Sequence, residues 1–191
     1  MSRVFITGST DGLGLMAANL LLEEGHQVVL HARDTPRAAQ VRRNLPSAEA
    51  VAIGDLSSIA QTREVAEQVN HLGRLDAVIH NAGVGYREPR RRQTKDDLPH
   101  VFAINVLAPY ILTALIDRPK RLVYLSSGMH RGATSSLDDI EWIQRRWQGA
   151  EAYAESKLHD VLLAFAVARR WPDVAGSRPQ AGPGASSRSP R

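Results

Sequence analysis

The sequence predicts an α/β fold, a doubly wound parallel sheet forming a single domain over residues 1–175. Three features carry that reading. The chain opens with a short apolar run, Val4-Phe5-Ile6, followed by a turn punctuated by Gly8, Gly12 and Gly14 and an apolar helical pattern from Leu15 to Leu22. Short apolar runs then alternate with helical patterns as β-α-β-α-β-α-β up to Gly83, the order that builds a parallel sheet with helices on both faces. A fifth run, Arg121 to Leu125, precedes a long amphipathic pattern from Ala150 to Trp171.

Each element has a local reason. Val4, Phe5 and Ile6 are β-branched or aromatic and unbroken by polar residues, as a strand buried on both faces requires. Gly25 sits where the first helix needs a C′ residue, and Gln27 to Ala32 reads as the second strand. Arg37 to Asn44 is a short polar helix closed by Pro46, and Ala50 to Ile53 is a third strand leading to Gly54-Asp55-Leu56. Ser57 or Ser58 can cap a helix from Ile59 to Leu72, whose apolar residues recur at helical spacing until Gly73. Leu75 to His80 is a fourth strand ending in Asn81-Ala82-Gly83. Beyond an arginine-rich loop, a helical pattern runs from Leu98 to Ile116 with Asn105 at its middle and Pro109 as the expected kink. The fifth strand ends in Ser126-Ser127-Gly128. Residues 176–191 are almost wholly Gly, Ala, Ser, Pro and Arg; with no large apolar side chain to bury, they are expected to form a disordered tail.

Composition narrows the function classes. The 191 residues include no cysteine, which excludes a disulfide framework and a thiolate metal site, and no other metal site is expected. The N-terminus lacks a signal-peptide pattern, and no apolar run has bilayer-spanning length, so a cytoplasmic protein with no membrane partner is the expectation. The net charge is +4. The arginines fall in separate clusters with acidic residues between most of them, and only Tyr86 lies among them to stack a base, so nucleic acid is not an expected partner.

The glycine turn suits an anion. Gly8 permits a backbone turn closed to other residues, Gly12 lets a pyrophosphate approach the main chain, and Gly14 lets the helix pack close to the strand. The helix N-terminus behind them offers free N–H groups and the positive end of its dipole. The spacing is Gly-x-x-x-Gly-x-Gly, which differs from the Gly-x-Gly-x-x-Gly dinucleotide fingerprint and also fits a plain strand-turn-helix. Tyr153 and Lys157 lie one helical turn apart on a shared face. A neighbouring ammonium favours the phenolate, drawing a phenol's pKa down from about 10, although the same spacing occurs on helices with no function.

In combination these motifs resemble the short-chain dehydrogenase/reductase family over all but the tail. The family's Thr-Gly-x-x-x-Gly-x-Gly appears as Thr7-Gly8-Ser9-Thr10-Asp11-Gly12-Leu13-Gly14, its adenine-side Asp as Asp55 with Leu56 following, and its Asn-Ala-Gly as Asn81-Ala82-Gly83. Asn105, Ser127 and the Tyr-x-x-x-Lys of Tyr153 and Lys157 complete the set. The resemblance implies a Rossmann-like fold and an oxidoreductase that moves hydride between a nicotinamide cofactor and a small carbonyl or alcohol. It implies that Tyr153 gives a proton to the substrate oxygen and that Lys157 holds the nicotinamide ribose and acidifies Tyr153. Ser127, chosen over Ser126 by analogy, would hydrogen-bond the same oxygen, and Asn105 would hold a water linked to Lys157.

Ala32-Arg33 at the end of the second strand sets a small residue before a guanidinium that can pair with a 2′-phosphate, so NADP is expected in preference to NAD; Asp34 argues the other way. Residues 130–149 make a longer segment than compact members have, similar to retinol-dehydrogenase-like members. Trp142 and Trp147 there either roof a lipophilic substrate or anchor packing. Family members continue into further strands and a substrate-covering segment, which this sequence lacks, so the alternative reading is a dinucleotide-binding protein that does not turn over. The resemblance leaves room for a homo-oligomer formed through the helices of Asn105 and Tyr153.

Overall fold

The computed structural model describes residues 1–134 and 136–174; the expected tail lies outside them. Five parallel strands, β1 (Arg3–Ile6), β2 (Gln27–Ala32), β3 (Ala50–Ile53), β4 (Ala77–His80) and β5 (Arg121–Tyr124), form one sheet in the order β3-β2-β1-β4-β5. The helices are α1 (Gly12–Glu23), α2 (Thr35–Asn44), α3 (Ile59–His71), α4 (His100–Phe102), α5 (Ala108–Leu115) and α6 (Gly149–Arg170). Strand order reverses between β1 and β4, and it is at such a switch point that a crevice opens beyond the strands' carboxyl ends.

The apolar runs are continuous because both faces of the sheet are covered. Phe5, Val29, Val78 and Leu122 point to the face packed by Val65 and Val69 of α3, Leu112 of α5 and Val167 of α6. Val4, Ile6, Val28 and Leu30 point to the other, against Ala18 of α1 and Val41 of α2. Within β1, Phe5 pairs with Val29 on one side and Val78 on the other, so the central strand has no solvent edge. Truncating a fully buried side chain of this kind to alanine costs roughly 2–5 kcal/mol.

Two local expectations are corrected. Helix α2 begins at Thr35 rather than Arg37, because Asp34 caps it by accepting the Arg37 N–H at 2.9 Å and Pro36 fits the first turn. The pattern over residues 98–116 starts its helix at His100, and its irregularity is a π-helical turn over Ala103–Leu107 rather than a kink at Pro109. The turn falls where the Asn105 side chain is drawn into contacts outside its own helix, and Pro109 then lies in the first turn of α5. Of the two candidate caps for α3, Ser58 serves.

Candidate active site

The turn between β1 and α1 is held by side chains that do not themselves face the crevice. Gly8 takes φ of +62°, and a Cβ there would stand 2.9 Å from the Ala82 Cα. Thr7 Oγ1 accepts the N–H groups of Asn81 and Ala82, both at 3.0 Å. Asn81 Nδ2 donates to the carbonyls of Thr7 and Gly8, both at 2.9 Å. Ser9 Oγ donates to the Ile6 carbonyl and accepts the His31 N–H, each at 2.9 Å. A Cβ on Gly14 would come within 2.4 Å of both Asn81 Nδ2 and the Gly8 carbonyl, so this helix start can approach the turn only as glycine. Of the sequence-derived set, Thr7 and Ser9 are therefore buried braces, and Asn81 uses its amide to tie β4 to the turn.

In front of the turn opens a cleft of about 710 Å³. Gly8, Thr10 and the Asp11 to Gly14 stretch form one wall, Arg33, Asp55 and Leu56 another, and Asn81 to Gly83 the floor beyond β4. The first N–H groups of α1 have no partner within the helix and stand at this wall. Arg33 and Arg37 both line the cleft, whereas Asp34 does not. The Arg37 N–H, with Arg33 beside it, holds the Asp34 carboxyl below the usual carboxylate range. Sequence reasoning missed His31 and Arg37 as cleft residues. Arg37 was legible as a second cation shortly after Arg33, but His31 read only as part of a buried strand. The size of the cleft, with the cation pair beside the glycine cradle and Arg37 reaching Asp11 at 3.4 Å, fits a dinucleotide.

The second half of the set converges on α6. Lys157 is 5% exposed, and its Nζ donates to the Leu125 carbonyl and to Asp160 Oδ2, both at 2.8 Å. A Cβ on Gly83 would stand 3.5 Å from that Nζ and 3.7 Å from Asn105 Oδ1, so β4's end, the π-helical turn and α6 meet at one point. Asn105 is fully buried; its Oδ1 accepts the Val84 N–H and its Nδ2 donates to the Val84 carbonyl and Ser156 Oγ. The Tyr153 ring lies 6.0 Å from Lys157 Nζ, with the Tyr86 ring edge-on at 5.6 Å. Ser126 Oγ donates to the Lys157 carbonyl, while Ser127 Oγ accepts the Met129 N–H at the start of a short 3₁₀ helix, Gly128–Gly132. Ser126 is exposed. Tyr153, Lys157 and Ser127 are not among the residues lining the cleft itself.

The tryptophans are packing anchors. Trp142 lies under the Arg145 guanidinium at 3.7 Å, and Arg145 grips Glu155 of α6 through Nη1 at 2.6 Å and Nη2 at 2.7 Å. Trp147 meets Trp142 edge-on and donates its indole N–H to the Glu88 carbonyl. These contacts fasten the segment before α6 both to the tyrosine-bearing helix and to the loop after β4.

This fold with this set of residues is found in known proteins. The short chain dehydrogenase family model matches residues 2–120, and the chain belongs to that family. An uncharacterized oxidoreductase of Emericella nidulans is 51% identical over 173 residues, 90% of this chain and 65% of the relative. The short-chain dehydrogenase chry4 of Gibberella zeae is 46% identical over 92% of this chain and 68% of its own length. Human retinol dehydrogenase 13 is 31% identical over 87% of this chain and 54% of that protein. A crystal structure of an uncharacterized Mycobacterium paratuberculosis protein superposes with a TM-score of 0.79 at 30% identity, covering 90% of this chain and 63% of that one. The chain thus spans about two thirds of the length of the first of these relatives.

Proposed function

We propose that this protein is an NADP-dependent oxidoreductase that interconverts a carbonyl and an alcohol. The observation that carries the reading is the meeting of Gly83, Asn105 and Lys157 at the end of β4, one helical turn from Tyr153, beside a glycine cradle of dinucleotide size. When bound, the nicotinamide supplies or accepts the hydride. Tyr153 delivers the matching proton to the substrate oxygen, and its hydroxyl makes no hydrogen bond among the described residues. Lys157, held by the Leu125 carbonyl and Asp160, keeps a third N–H for the cofactor ribose. Ser127 orients the substrate oxygen. Arg33 and Arg37 take the 2′-phosphate, a role favoured by the engagement of Asp34 in capping α2 rather than facing the cleft.

The test follows NADPH oxidation against aldehydes, ketones and quinones, with Tyr153→Phe as control. The expected result is turnover that falls about 100-fold or more in the variant with NADPH affinity retained. A second reading, dinucleotide binding without turnover, is favoured by the cleft lining, which stops short of Tyr153. Clear NADPH binding with no substrate turned over would establish it, and absence of NADPH binding would defeat both.

A further inference from the structure

We propose that His31 is a positioning residue of the dinucleotide site: its imidazole, locked in one neutral tautomer, clamps the glycine turn of β1 to the end of β3 and holds it in the shape that receives the pyrophosphate. The inference rests on the cleft being a dinucleotide site, but its core is geometric. His31 is 4% exposed. The Gly8 N–H approaches its Nδ1 at 3.0 Å, and its Nε2 lies 2.9 Å from the Gly54 carbonyl. A backbone N–H can only donate and a carbonyl can only accept, so Nδ1 must be bare and Nε2 must carry the hydrogen. One ring thereby bridges two loops that belong to different strands.

The main chain of the same residue completes the clamp. Its N–H donates to Ser9 Oγ at 2.9 Å, and its carbonyl accepts the Ser9 N–H at 3.3 Å. Gly8 and Ser9 are thus both bound to His31, and Gly8 is also the residue whose positive φ shapes the turn. On β2 the neighbours of His31, Leu30 and Ala32, are fully buried and apolar.

A consequence follows for pH. Protonated imidazole carries a hydrogen on both nitrogens, which would set two donors, Nδ1–H and Gly8 N–H, against each other in a buried site. Burial holds His31 below the ordinary histidine value, opposed by the Gly54 carbonyl and by the charge of Asp55 at the end of β3. The other charged groups at this end of the cleft are Arg33 and Arg37, each paired with acid: Arg33 with Asp34, and Arg37 with Asp11 and Asp34, so their charges largely offset one another and burial decides. The clamp is therefore intact at neutral pH, and acid opens it.

The test uses the whole chain with His31→Gln and His31→Phe. Glutamine offers an acceptor and a donor that do not titrate in this range, and phenylalanine keeps the bulk while offering neither. Three results are expected. Nitrogen-15 imidazole spectra of the wild type at neutral pH show the tautomer with hydrogen on Nε2. His31→Phe loses about tenfold or more in NADPH affinity while keeping its far-UV circular dichroism. The wild type loses affinity for NADPH and NADH alike only as pH falls below the ordinary histidine value of 6.5, and His31→Gln binds both without that acid loss. Hydrogen on Nδ1, a phenylalanine variant that binds like the wild type, or an identical acid limb in His31→Gln would overturn the proposal. If the wild type binds neither dinucleotide, the functional reading fails, and exchange of the Gly8 amide still decides the clamp. Slow exchange in the wild type and glutamine variant with fast exchange in His31→Phe upholds it; equal exchange in all three refutes it. Should His31→Phe not fold, the imidazole spectra and the glutamine pH profile decide alone.

Discussion

The ammonium of Lys157 lies 2.8 Å from Asp160 Oδ2, one turn along α6, and the two side chains are only 6% and 4% exposed. The pair sits behind the Tyr153 face and beneath the end of β5, where Lys157 also reaches the Leu125 carbonyl. Asp160 Oδ1 has no partner among the described residues. Burial pushes the Asp160 carboxyl up to about 6 despite the opposing pull of Lys157. An acid whose value is raised by folding binds more protons in the native state than in the unfolded one. Its contribution to stability therefore grows as pH falls from about 6 toward the ordinary carboxyl range.

The stability of the wild type minus that of Asp160→Asn, measured by urea denaturation, is accordingly expected to rise as pH is lowered from about 6 to about 4. A difference that stays flat across that window would contradict the buried-pair account. Lys157→Met, which strands the carboxylate, is expected to cost roughly 3 kcal/mol at neutral pH.

Gly14 is the tightest point of the cradle, since a Cβ there meets Asn81 Nδ2 and the Gly8 carbonyl at 2.4 Å each. Gly14→Ala should destabilise the fold by roughly 1–3 kcal/mol and weaken dinucleotide binding, because the Gly8 carbonyl is backbone and the Asn81 amide is held by its hydrogen bonds to Thr7 and Gly8. Gly128→Ala, with nothing within 4 Å of its added Cβ, is the control and should stay within about 0.5 kcal/mol. Equal melting of the two variants would refute the close approach.

The proposed function gives Arg33 and Arg37 the 2′-phosphate. Arg33→Ala combined with Arg37→Ala is expected to weaken NADPH about tenfold or more while leaving NADH nearly unchanged, as measured by fluorescence titration. Parallel loss for both cofactors would instead mean that the arginines support the cleft generally.

Thr113 anchors a second buried polar cluster, whose Tyr124 also feels the charge of Asp160. Its Oγ1 lies 2.7 Å from the Tyr124 hydroxyl and 3.2 Å from His80 Nε2, and the two rings stack at 4.8 Å. Burial pushes Tyr124 up to about 12 and His80 down to about 3, so both are neutral at working pH. Thr113→Val should leave both unpaired and cost about 1–3 kcal/mol in thermal or chemical unfolding, with NADPH affinity unchanged. A loss of affinity comparable to the stability loss would show that the cluster reaches the cleft.

The strands were legible because helices cover both sides of the sheet, so β1 and β2 appear in the sequence as unbroken apolar runs. The glycine spacing and the Tyr153 to Lys157 interval were legible for a similar reason: each records a backbone shape or a helical period local in the chain. The π-helical turn at Asn105 was not, since it reflects an amide drawn to Val84 and Ser156, residues far apart in sequence. Nor was the anchoring of Trp142 and Trp147, which depends on Arg145 meeting Glu155 and on the Glu88 carbonyl.

The sequence alone determined the layered parallel architecture, the glycine turn after β1 and the spacing of the tyrosine and lysine, because periodicity and glycine placement are written along the chain. Only the tertiary structure decided that His31 clamps the turn, that Asp160 holds Lys157, and that Asp34 caps a helix rather than facing the cleft. His31 reaches Gly8 and Gly54 across more than twenty residues of chain, and although Asp160 and Asp34 act on partners three residues away, the burial of the first and the orientation of the second are set by the segments the fold packs around them.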